Sequence, residues 1–100
     1  MQVLITGSTG RLGKELLEVF PGCLHPGRNE LDVSSRKSTE NYLARKKPDL
    51  VIHAAALTGV RECEEHKELA WKTNYLGTSW LADASMSADV DSYFVYVSTA

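Results

Sequence analysis

The sequence predicts an α/β fold, a doubly wound parallel sheet in which strands alternate with helices. Three observations carry this. The apolar run Val3-Leu4-Ile5 passes through Thr6 into a glycine-rich turn, Gly7-Ser8-Thr9-Gly10-Arg11-Leu12-Gly13, and then into Lys14-Glu15-Leu16-Leu17-Glu18-Val19-Phe20. The run Leu50-Val51-Ile52-His53 shows no polar alternation, which suits a parallel strand buried on both faces. The run Tyr93-Phe94-Val95-Tyr96-Val97 leads into Ser98-Thr99-Ala100. Strands alternating with helices imply right-handed βαβ crossovers, and the expected strand order is 3-2-1-4, with ligand bound across the carboxyl ends where the winding reverses.

Each element has a local cause. Leu12, Leu16 and Phe20 share one helix face with Gly13 and Leu17, so a helix is expected from about Gly10 to Phe20, stopped by Pro21-Gly22. A short strand at Cys23-Leu24-His25, broken by Pro26-Gly27, and a brief extended piece around Glu30-Leu31-Asp32-Val33 are expected next. Ser34 or Ser35 offers an N-cap for a helix from about Arg36 to Lys46, with Tyr42 and Leu43 facing inward and Pro48 beyond its end. The basic Arg45-Lys46-Lys47 complements the dipole of its last turn. After Ala54-Ala55-Ala56, a helix from about Lys67 to Met86 carries a wide stripe that includes Leu69, Leu76, Trp80, Leu81 and Ala84. The last strand ends at the rim of the proposed site with no covering helix after it, so the chain is expected to be the N-terminal part of something longer.

Composition excludes several classes. The 100 residues are 43% hydrophobic and 24% charged, with a formal net charge of −2, an ordinary soluble composition without the basic footprint of a nucleic-acid or anionic-membrane protein. Cys23 and Cys63 form no disulfide framework and have no metal-ligand neighbour at CxxC or CxxH spacing, so reduced thiols and a cytoplasmic setting are expected. Met1 runs straight into a strand, with no signal segment and no run of about 18 apolar residues.

The glycine turn points backbone N–H groups and the positive end of a helix dipole at one spot, which favours a phosphate there. Gly7 permits a tight turn, Gly10 lets the backbone approach a pyrophosphate, and Gly13 lets the helix pack closely on the sheet. His53, at a strand end, reads as a packed, hydrogen-bonded core histidine, and Trp71 and Trp80 as packing residues.

Thr-Gly-x-x-Gly-x-x-Gly at residues 6 to 13 resembles the nucleotide-binding fingerprint of the extended short-chain dehydrogenases/reductases, a Rossmann-type fold. Further matches follow in order: Leu31-Asp32-Val33, Pro48 to Ala56, Asn74-Tyr75-Leu76-Gly77-Thr78 and Val95-Tyr96-Val97-Ser98-Thr99. The short link between the second and third strands, the stretch His25 to Asp32, Ala55 to Thr58 and the terminal Ser-Thr are similar to the dTDP-4-dehydrorhamnose reductase family. The resemblance spans essentially the whole chain. It implies that Gly7, Ser8, Thr9, Gly10, Arg11, Leu12 and Gly13 hold the cofactor pyrophosphate. By the same resemblance Asp32 and Val33 meet the adenine, Arg28 lies beside the adenosine ribose where it suits a 2′-phosphate, and Ala54, Ala55, Ala56 and Ser98 run along the cofactor. Asn74 is implied to be structural, bonding neighbouring sheet backbone.

Thr99 matches the Ser/Thr of the family's Ser/Thr-Tyr-Lys catalytic set, whose hydroxyl bonds the substrate carbonyl while a tyrosine supplies the proton. Tyr42 and Lys46 fit Tyr-x-x-x-Lys by spacing, but they precede the third sheet strand and are rejected as that pair. The implied protein is an NAD(P)H-dependent reductase of a nucleotide-linked 4-keto-6-deoxysugar, using NADP or NAD, a homodimer when full length, with a nucleotide-sugar substrate and no nucleic-acid or membrane partner. Residues 1–100 would be the N-terminal part of its NAD(P)-binding domain, without turnover alone and prone to weak folding or self-association through the exposed edge of the last strand. Two alternatives are a nucleotide-sugar epimerase or dehydratase with bound NAD, and a non-catalytic NADP-binding regulatory subunit.

Overall fold

The computed structural model describes residues 1–7, 11–54 and 75–97. Its elements are β1 (Val3–Thr6), α1 (Arg11–Val19), α2 (Arg36–Lys46), β2 (Leu50–His53), α3 (Gly77–Ser85) and β3 (Tyr93–Tyr96). The strands form one parallel sheet in the order β1-β2-β3, with Leu4 opposite Val51 and Val51 opposite Phe94. On the far side of β1, Leu24 forms a parallel bridge to Leu4. The expected 3-2-1-4 order is not the one seen among the described residues: with Cys23 to His25 counted second and Leu50 to His53 third, the order is 2-1-3-4, because the third strand takes the free edge of β1 opposite Leu24 and β3 pairs beyond it.

Alternate strand residues point to opposite faces and so build two cores. Val3, Ile5 and Ile52 pack with Leu16 and Leu17 of α1, and with Phe20 just after it, on one face. Leu4, Leu31, Tyr42, Leu43, Val51 and Leu81 pack together on the other, under α2 and α3. Gly13, in the first turn of α1, is buried. The helices run opposite to the strands, so α1 and α2 start at the carboxyl edge of the sheet, and neither has an acidic residue in its first turn.

The α2 boundaries agree with the sequence. Ser35, extended at φ −117°, is the N-cap, its hydroxyl accepting from the Ser38 N–H at 3.2 Å. Arg45 and Lys46 occupy the last turn, and Lys47 closes it in the left-handed conformation, φ 45° and ψ 59°, its N–H donating to the Leu43 carbonyl. A side chain there is strained where glycine is not. Lys47→Gly is therefore expected to raise stability by about 0.5–1 kcal/mol, read as a higher urea midpoint at unchanged slope; a lower midpoint would contradict it.

Two short segments differ from expectation. Cys23 to His25 contributes one bridge rather than a strand: Leu24 donates to the Val3 carbonyl and accepts from the Ile5 N–H, each at 2.8 Å. It lies between Gly22, at φ 82°, and Pro26, which has no N–H to extend the ladder. The piece around Glu30 to Val33 is turned, not extended, because the Gly27 carbonyl captures the N–H groups of both Glu30 and Leu31 at 3.0 Å. Leu31 is thereby driven into the core rather than into a strand.

For the expected Lys67 to Met86 helix, the described part is α3, with Gly77, Leu81 and Ser85 buried; residues 67–74 lie outside the described residues. Trp80 is half-buried, and Trp71 lies outside. β3 carries exposed apolar surface, with Tyr93 80%, Val95 46% and Tyr96 44% exposed, the uncovered edge expected of the last strand. Among the described residues, no helix is long and apolar enough to cross a membrane.

Candidate functional site

The carboxyl edge of the sheet is held by hydrogen bonds running from strand to strand. The Ala54 N–H donates to the Thr6 carbonyl, and the Val97 N–H to the His53 carbonyl, both at 3.1 Å. Thr6, Ala54 and Val97 therefore end side by side. The chain leaves β1 through Gly7 at φ 80°, a conformation that excludes most side chains, so the tight-turn role read for Gly7 has its physical cause. Arg11, exposed, opens α1; half-buried Leu12 and buried Gly13 follow.

His53 lies under this edge, fully buried. Its Nδ1 is 2.6 Å from the Thr6 hydroxyl and its Nε2 3.0 Å from the Thr78 hydroxyl on α3. Its ring stacks on Phe94 at 6.3 Å and tilts against Tyr96 at 5.6 Å. Burial lowers its pKa to about 4, so the imidazole is neutral at physiological pH. The reading of a packed, hydrogen-bonded histidine holds.

Arg28 and Asp32 are brought together. The guanidinium Nε is 3.9 Å from Asp32 Oδ1, with the arginine side chain 75% exposed. The same oxygen accepts from the Ser34 N–H at 3.0 Å and the Ser34 hydroxyl at 2.6 Å. The Asp32 N–H donates to the Ser38 hydroxyl at 3.0 Å. A carboxylate bonded in this way has a defined orientation, and Val33 beside it rests on the Leu4 core. The supporting roles of Ser34, Ser38, Thr6 and Thr78 were not among the sequence expectations; the Asx-turn spacing from Asp32 to Ser34 is the one signal that points to any of them.

Ser8, Thr9, Gly10, Ala55, Ala56, Asn74, Ser98 and Thr99 lie outside the described residues. Tyr42 is buried beneath the Arg45 guanidinium, 5.6 Å above its ring, and its pKa is raised by burial and then by Glu30. Its partner by spacing, Lys46, is exposed, in accord with the rejection of this pair. A groove of about 280 Å³ between α2 and α3, floored by Ala44, Ala84 and Val90, contains none of the predicted cofactor residues.

A parallel sheet with helices on both faces, and a left-handed glycine between the first strand and first helix, define a Rossmann-type α/β protein. The RmlD substrate binding domain model matches residues 1–100. The chain is 30% identical to dTDP-4-dehydrorhamnose reductase of Aggregatibacter actinomycetemcomitans, over 98% of this chain and 34% of that protein. The Bacillus anthracis dTDP-4-dehydrorhamnose reductase, solved in complex with NADP, is similar at TM-score 0.86 and 31% identity, covering 98% of this chain and 36% of that one. The Clostridium acetobutylicum dTDP-4-dehydrorhamnose reductase structure is similar at TM-score 0.85 and 34% identity, covering 94% and 34%. The chain belongs to the RmlD substrate binding domain family. It spans about a third of the length of these relatives.

Proposed function

We propose that residues 1–100 form the cofactor-binding part of an NADP- or NAD-dependent reductase of a nucleotide-linked 4-keto-6-deoxysugar, of the extended short-chain dehydrogenase/reductase type. The observation that carries this reading is the Gly7 turn at the carboxyl edge of a parallel sheet, in a chain about 30% identical to dTDP-4-dehydrorhamnose reductase over nearly its whole length. The residues fit a dinucleotide. The left-handed Gly7 and the acid-free first turn of α1 suit a pyrophosphate, and buried Gly13 keeps the helix close to the sheet.

Asp32, oriented by Ser34, is suited to accept from the adenine amino group, with Val33 against the ring. Exposed Arg28 beside it offers a planar donor fork for a 2′-phosphate. Ser8, Thr9, Gly10, Arg11 and Leu12 complete the phosphate turn; Ala54, Ala55, Ala56 and Ser98 line the cofactor's path. When bound, the cofactor would supply hydride, and the Thr99 hydroxyl would donate a hydrogen bond to the substrate carbonyl. The full-length protein works in the cytoplasm as a homodimer.

NADPH and NADH titrations of the full-length protein test this, followed by turnover with a dTDP-linked 4-keto-6-deoxysugar. Arg28→Ala is expected to weaken NADPH about tenfold while leaving NADH nearly unchanged, the loss of one charge-assisted contact. Equal weakening of both cofactors would remove Arg28 from the 2′-phosphate. Failure of the wild type to bind either would overturn the reductase reading.

A further inference from the structure

We infer that Ser34 is a positioning residue that sets cofactor preference: by holding the Asp32 carboxylate, it keeps the neighbouring Arg28 guanidinium open for the 2′-phosphate of NADPH. This rests on the proposed placement of Arg28 and Asp32 at the adenosine end of the cofactor.

The three side chains meet at one atom. Asp32 Oδ1 accepts from the Ser34 N–H at 3.0 Å and from the Ser34 hydroxyl at 2.6 Å, while Arg28 Nε stands 3.9 Å away. A direct bond from guanidinium to carboxylate is about 2.7–2.9 Å long, so the arginine is near enough to be attracted and too far to be bonded. Local structure accounts for only one of the two serine contacts. The Ser34 N–H closes the Asx turn, and α2 is capped by Ser35, whose hydroxyl accepts from the Ser38 N–H. The Ser34 hydroxyl serves neither turn nor cap; among the described residues its bond goes to Asp32. Asp32 is kept within reach of Arg28, because its own N–H is tied to the Ser38 hydroxyl in the first turn of α2. Without the Ser34 hydroxyl, Oδ1 loses a donor, and the exposed guanidinium stands where it can replace it. The closed pair would occupy the donor fork and offset the charge that a 2′-phosphate requires. NADH, which has no 2′-phosphate, requires neither.

NADPH and NADH affinities, measured by fluorescence titration on the full-length protein, are read as their ratio. Ser34→Ala is expected to lower the preference for NADPH about fivefold, short of the effect of about tenfold expected of Arg28→Ala. Ser34→Thr, which keeps the hydroxyl, keeps the wild-type ratio. Ser34→Val and Ser34→Thr share a shape and differ in the hydroxyl, so they decide the question if Ser34→Ala fails to fold. In an Arg28→Ala background, Ser34→Ala changes the ratio no further. A wild-type ratio in Ser34→Ala, whether both cofactors bind as before or both weaken equally, would mean that the hydroxyl is structural only and would overturn the proposal. So would a second fall in the ratio once Arg28 is already gone. If Arg28→Ala leaves the ratio unchanged, it is Arg28 that has been misassigned; if the wild type binds neither cofactor, the nucleotide reading fails. Either result takes the role of Ser34 with it.

Discussion

Acidification from pH 7 to pH 4 is expected to remove about 3 kcal/mol of folding stability through His53 alone. The folded pKa, about 4, lies below the ordinary 6.5 because burial disfavours the imidazolium. Below pH 6.5 the unfolded chain takes up a proton that the native state refuses. The contribution is complete above 6.5 and shrinks as pH falls toward 4, by about 1.4 kcal/mol per unit over most of that window. Other groups also titrate on this path, so the informative measurement is the difference in urea stability between wild type and His53→Asn. That difference should narrow from pH 7 to pH 4. A gap that stays constant would mean that His53 does not titrate as its burial requires.

Leu43→Ala is expected to cost about 3 kcal/mol, at the scale set by large-to-small changes in closely packed cores. Leu43 is fully buried where α2 meets the sheet, among Leu4, Leu31, Tyr42, Val51 and Leu81. These neighbours come from β1, the turned segment after Gly27, α2, β2 and α3, so the vacated volume is bordered by five separately held pieces of chain. None can close it without disturbing the others. Chemical denaturation should show a midpoint well below wild type, and a loss under 1 kcal/mol would mean that the core relaxes around the deletion.

The parts of the fold that were legible in the sequence are those with local causes. Ser35 as a cap, Arg45 and Lys46 in a last turn, and an unbroken apolar run at Leu50 to Ile52 each report on their own element. Cys23 to His25 and Glu30 to Val33 were misread because a short apolar piece becomes a strand only if a ladder is available to it. Pro26 ends one ladder, and the Gly27 carbonyl diverts the N–H groups that the other would need. Within the candidate site, Gly7 was legible because a left-handed turn between strand and helix needs glycine. The neighbouring placement of Arg28 and Asp32 is a matter of four residues along one turn. The Thr6–His53–Thr78 bridge was not legible: its partners are 47 and 25 residues apart, and a hydroxyl at either place has no periodic signal.

The first turns of α1 and α2 contain no acidic residue and both lie at the carboxyl edge, so their peptide dipoles add positive potential there, with the Asp32 carboxylate standing just ahead of α2. Peptide dipoles have no proton to lose. The dipoles' share of the attraction for an anion is therefore constant across the physiological range, and a change in capture with pH would report the ionisation of the incoming anion or of side chains at the edge, not of the helix ends.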